Sequence, residues 1–140
     1  METIQLAGDR VRKSSSGRNT RKIDAKTQEN IDHYSSLSRA DIVQRILQLN
    51  REWDTERSLQ LLSASNVLTG LILGLTVNKK WFLLSGISAA FLVQHSLQGW
   101  CPPLPLLRKF GIRTANEINE EKNALLARLE EMQQERMTEI

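Results

Sequence analysis

The sequence predicts an all-α membrane protein: a two-helix transmembrane hairpin flanked by an N-terminal amphipathic helix and a C-terminal polar helix. Three observations predict it. No Asp, Glu, Lys or Arg occurs at 58–78 or at 81–107. The two uncharged blocks are joined only by Asn78-Lys79-Lys80, too short a link for anything but an antiparallel return. The chain of 140 residues nonetheless holds 19 basic and 16 acidic side chains, a net charge of +3, so its charge is concentrated in the flanks. A soluble helix of such length normally carries a charged face, and these blocks carry none.

Residues 1–36 read as a disordered basic tail. Between Asp9 and Lys26, the basic residues Arg10, Arg12, Lys13, Arg18, Arg21, Lys22 and Lys26 outnumber Asp9 and Asp24, and Ser14-Ser15-Ser16-Gly17 interrupts them. Such a segment offers little apolar surface to bury. It either attracts anionic lipid headgroups, at roughly 1 kcal/mol per basic residue, or stays solvated. It has no apolar h-region, so no secretory signal is expected.

Residues 37–57 read as an amphipathic cytoplasmic or interfacial helix. Ser38 is placed to cap it, with Asp41 in its first turn. Ile42, Ile46, Leu49 and Trp53 recur at helical spacing and form one apolar stripe. Asp41 with Arg45, and Asp54 with Arg57, are spaced as ion pairs worth about 0.2–0.5 kcal/mol each.

The hairpin with its Pro-rich interfacial segment is expected over 58–110, its helices over about 59–77 and 81–100. At 1.5 Å per residue, residues 81–100 span about 30 Å, the thickness of a bilayer's hydrocarbon core. Trp81 and Trp100 stand at the ends of that block, where indole rings anchor at the headgroup level. Arginines flank both blocks on the side of the long tails, so the positive-inside rule favours both termini in the cytoplasm, although Lys79-Lys80 weakens the contrast. A cytoplasmic helix over 114–136 follows, opened by a Thr114/Glu117 capping-box pattern. Its stripe of Ile118, Leu125, Leu129 and Met132 could pair with the 37–57 helix or with its own copy.

Small residues offer helix-packing faces. Asn66, Gly70 and Gly74 share one face of the first block, and Gly86 with Ala90 repeats the spacing in the second. Such faces let backbones approach closely in lipid, within one chain or between two copies. An antiparallel hairpin also places Ser63 near the depth of Gln94 and His95, a polar cluster able to hydrogen-bond across the helices. No acidic residue is expected to join His95, so a proton relay lacks its usual partner.

The sole cysteine, Cys101, is followed by all three prolines, Pro102, Pro103 and Pro105. A single cysteine excludes an intrachain disulfide and a CxxC pair. Pro102 is expected to end the second helix. The helix C-terminus disfavours a thiolate, yet a surface position would leave Cys101 a candidate reactive thiol. The sequence shows no nucleophile with a base, no phosphate-binding Gly-rich loop and no metal-ligand spacing, so no enzyme, metal site or cofactor is expected. The basic stretch lacks interleaved aromatics, so no nucleic-acid partner is expected either.

Arg51-Glu52-Trp53-Asp54 and Glu56-Arg57 precede the first block; Gln94-His95 and Gln98-Gly99-Trp100-Cys101-Pro102-Pro103-Leu104-Pro105 close the second; Arg113-Thr114, Glu117-Ile118 and Glu120-Glu121-Lys122 follow. Together these resemble the YgaP-like inner-membrane domain, over roughly residues 40 to 125. The resemblance implies a bacterial inner-membrane protein with two transmembrane helices and no settled activity. Some members carry a rhodanese domain, which lends Cys101 a sulfur-handling role by implication. This chain has neither that domain nor a second cysteine, so a separate sulfurtransferase-type partner would have to supply the sulfur. The primary expectation is a non-enzymatic accessory or self-associating structural subunit in the lipid bilayer, as a homo-oligomer or within a larger membrane complex. Sulfur or redox handling at Cys101 is the alternative.

Overall fold

The computed structural model describes residues 7–140. Among them every regular element is helical: α1 (Ala7–Ser14), α2 (Gly17–Ser35), α3 (Arg39–Leu49), α4 (Thr55–Thr76), a 3-10 turn (Lys79–Trp81), α5 (Phe82–Gln98), α6 (Leu104–Lys109) and α7 (Ala115–Thr138). Helices α4 and α5 form an antiparallel hairpin. The remaining helices gather at its open end, with α7 laid against α2 and α3.

The expected basic tail is the largest departure. Its first six residues lie outside the described residues, but the rest forms α1 and α2 rather than a disordered segment. The physical reason is a buried face made mostly of polar groups. Ile23 and Thr27 are buried, and Tyr34 packs on the apolar cluster of α3 and α7. Thr27 accepts from Arg113 at 3.3 Å, and Asn30 donates to Glu121 at 3.4 Å. Arg12 grips Asp24 with two hydrogen bonds, at 2.6 and 2.5 Å, and so ties α1 to α2. Counting net charge over the segment hides this pairing.

The 37–57 helix is shorter than expected. Ser38 does cap it, accepting from the Asp41 amide at 3.4 Å. Ile42, Ile46 and Leu49 are buried against Ile118 and Leu125, so the α7 stripe pairs with α3 of its own chain. The helix ends at Leu49, with Asn50 at its C-cap, and Asp54 belongs to the next one: its Oδ1 accepts from the Arg57 amide at 2.7 Å and caps α4. Trp53 therefore leaves the stripe and lies exposed, with the Arg57 guanidinium 4.3 Å from its ring centre. Arg45 turns from Asp41 to Glu121.

Helix α4 has 22 residues and is the one described helix long and apolar enough to cross a membrane. Helix α5 has 17 residues, about 25 Å of rise. It is shorter than 81–100 at both ends. Trp81 lies in the 3-10 turn, and the helix stops at Gln98 because Gly99 adopts φ +73° and donates its amide to the His95 carbonyl at 2.7 Å. Gly99, not Pro102, is the terminator. Pro103 and Pro105 open α6, where a missing amide costs no helical hydrogen bond. The Thr114/Glu117 capping box at the start of α7 forms in full.

Candidate functional site

The charged residues around the hairpin's open end converge on two neighbouring carboxylates of α7. Glu117 and Glu121 are one turn apart and buried, on the same face as Ile118 and Leu125. Arg108 of α6, 1 % exposed, forks onto Glu117 with hydrogen bonds of 2.6 and 2.8 Å. Arg12 of α1 adds a third at 3.1 Å, and the Thr114 amide a fourth at 2.8 Å. Glu121, fully buried, accepts from Arg45 of α3 at 2.8 Å and from Arg113 at 2.5 Å. Arg113 also forks onto Glu52 at 2.8 and 2.5 Å, and its carbonyl accepts from the Thr55 amide at 2.9 Å. This guanidinium–carboxylate lattice fixes the start of α4, α6 and α7 to one another. Planar bidentate pairing suits arginine, and lysine would not reproduce it.

Burial by itself raises the pKa of both carboxylates. For Glu117 the hydrogen bonds from Arg108 and the Thr114 amide outweigh that effect, and for Glu121 those from Arg45 and Arg113 do; both stay below the usual carboxylate range. A depressed folded-state pKa contributes stability that is present above the unfolded value and lost as pH falls through the folded one. Thermal unfolding followed by circular dichroism in neutral detergent is therefore expected to give a constant melting temperature above about pH 5 and a falling one below about pH 4.

Cys101 is not at the surface. It has 0 % exposure and lies in an apolar cluster with Val11, Leu59 and Leu104, with Phe91, Trp100 and Leu107 around it. Burial pushes its thiol pKa up, and the Leu104 amide offsets part of that. The open position expected of a reactive thiol is thus closed, because α1 folds over it and α6 turns beneath it. Alkylation by a neutral maleimide is expected to run at least roughly a hundred-fold slower on the folded chain than in denaturant. Equal rates would show an open site.

No family model, curated protein or solved structure matches this chain. The site must therefore be read from its own geometry.

The polar cluster forms only in part. His95 and Ser63 are buried. His95 Nε2 lies 3.0 Å from Oε1 of Glu56, so an acidic residue does join it, contrary to expectation. Glu56 stands in the first turn of α4, and the antiparallel return brings it beside the last turn of α5. Gln94 turns instead to Gln98 of its own helix, at 3.5 Å. His95 Nδ1 is buried without a partner among the described residues.

The first small-residue face is consumed inside the hairpin. A Cβ built on Gly70 would lie 2.8 Å from the Ser85 amide nitrogen and 2.9 Å from the Trp81 carbonyl. One on Gly74 would meet the Phe82 ring at 2.7 Å. The opposing helix presents Ser85, Ser88 and His95, not Gly86 and Ala90. Ser85 Oγ donates to the Val67 carbonyl at 2.8 Å and closes the contact. Gly86 and Ala90 are exposed, and nothing lies within 4 Å of a Cβ at Gly86. Trp81 is exposed at the turn, whereas Trp100 is half-buried against the Cys101 cluster.

Proposed function

We propose that this chain is a non-enzymatic structural subunit of a membrane assembly: α4 and α5 sit in the bilayer, and the remaining helices form a platform on its cytoplasmic face. The observation that carries this reading is the outer surface of the hairpin. Leu61, Leu68, Ile72 and Leu75 of α4, with Leu83, Val93 and Leu97 of α5, are exposed large apolar side chains. An uncharged surface of this extent has no stable place in water. The core helix of a soluble protein would be mostly covered, whereas 22 % of the apolar window in α4 is buried. With Trp81 ahead of it, α5 offers a second apolar rod of about 27 Å, close to the thickness of the hydrocarbon core.

Self-association or subunit docking fits the free Gly86 and Ala90 face of α5, bordered by Leu83 and Ile87, better than the occupied Gly70 and Gly74 face. The burial of Cys101 argues against sulfur handling, which needs a thiol within reach of a donor.

The test uses native membranes. The chain is expected to stay in the membrane pellet after an alkaline carbonate wash. Gentle extraction followed by native mass spectrometry is expected to show a second copy or a stoichiometric partner, with unmodified Cys101. Release by carbonate would overturn the membrane reading, and a bare monomer would overturn the subunit reading.

A further inference from the structure

A basic groove runs between α2 and α6 beside the ion-pair lattice, whose Arg45, Glu52, Arg108 and Arg113 form part of its wall. Its deeper part is a cavity of about 330 Å³ whose lining includes Asn19, Lys22, Lys26, Arg108 and Lys109. Its shallower part continues past Arg18 and Arg21 to Pro102, Pro105 and Leu106, and the two parts share Asn19, Lys22 and Lys109. Arg18, Arg21, Lys22 and Lys109 form no ion pair among the described residues. Arg108, whose guanidinium is otherwise spent on Glu117 and the Ile112 carbonyl, keeps its Nε–H buried and without an acceptor among the described residues. Several uncompensated cations around one recess, with a buried donor left unpaired in its lining, are what an anion would neutralise.

The rim identifies the kind of anion. Leu106 and Phe110 are exposed large apolar side chains on and just after α6, and Phe110 also lines the cavity. Helix α6 lies against the hairpin's open end, where its α4 contacts place it. A ligand with an anionic head and an apolar body satisfies both surfaces at once. We propose that this groove binds the phosphate headgroup of an anionic phospholipid, with Lys22 and Lys109 on the phosphate and Leu106 and Phe110 against the acyl chains. The proposal rests on the membrane reading for the source of the ligand, while the phosphate chemistry rests on the groove alone.

The full chain in a neutral detergent is titrated with phosphatidylglycerol and, separately, with phosphatidylcholine, and retained lipid is read by native mass spectrometry. Phosphatidylglycerol is expected to be held about ten-fold more tightly. The Lys22→Ala/Lys109→Ala pair is expected to lower that affinity about thirty-fold, at roughly one basic contact per lysine. Lys79→Ala/Lys80→Ala, at the far end of the hairpin, is expected to leave it unchanged. Equal retention of the two lipids, or an equal loss in the loop variant, would overturn the site. Glycerol 3-phosphate is the soluble arm: displacement of the lipid at equimolar concentration would overturn the lipid assignment and make the ligand a soluble phosphate ester. Phosphate binding that survives in a chain released by carbonate would mark failure of the membrane reading and not of the groove.

Discussion

An Arg108→Met variant is expected to lose about 3–5 kcal/mol of stability, because it leaves Glu117 charged and buried with its main partner gone. Arg12 cannot replace the lost fork; it reaches Glu117 through one hydrogen bond of 3.1 Å and is committed to Asp24. The loss is expected in the platform first, since Arg108 joins α6 to α7. Urea unfolding in detergent, followed by helical circular dichroism, measures it. Adding Glu117→Gln to Arg108→Met is expected to recover part of the stability, because a buried amide costs less than a buried carboxylate. If the double variant is no better than the single one, steric packing and not charge explains the effect.

Gly70→Ala is expected to be the most damaging small substitution in the hairpin. Its Cβ meets the Ser85 amide and the Trp81 carbonyl, backbone groups that move only if the helices part. Overpacking of this kind costs about 1–3 kcal/mol, and the rigidity of the obstacle places Gly70 at the upper end. Gly74→Ala meets the ring of Phe82, which can rotate away, and is expected to cost less. Both variants are expected to lower the melting temperature while leaving the number of subunits seen by native mass spectrometry unchanged, because these contacts lie within one chain. A change in subunit number without loss of stability would show that the glycines face another copy.

The hairpin was legible in the sequence because two uncharged blocks and a three-residue link leave few alternatives. The caps at Ser38 and Thr114 were legible for a local reason: the residues that make them are three apart in the chain. The lattice was not, since its partners are far apart in sequence. Glu52 meets Arg113, and Arg12 meets Glu117, across separations of 61 and 105 residues. The nature of α2 was hidden for another reason. Its buried positions Ile23, Thr27 and the partly buried Asn30 and Tyr34 follow helical spacing, but two of them are uncharged polar residues, so the stripe looks solvated. The Glu56–His95 contact needed the register of the hairpin, which a pattern of apolar residues does not supply.

The seating of α2 on α7 has a consequence for how the chain is made. A ribosome delivers α2 well before α7, with both hairpin helices between them. At about 5–20 residues per second, the roughly eighty residues between Ser35 and Ala115 take on the order of 4–16 s to synthesise. Throughout that interval Thr27 lacks Arg113, Asn30 lacks Glu121, and Arg12 has Asp24 but not Glu117, so these helices can close against α7 only after the hairpin has been delivered. Helices α1 and α2 are thus made before the hairpin yet settle after it, so α4 and α5 can pair with each other before the helices at their open end have closed.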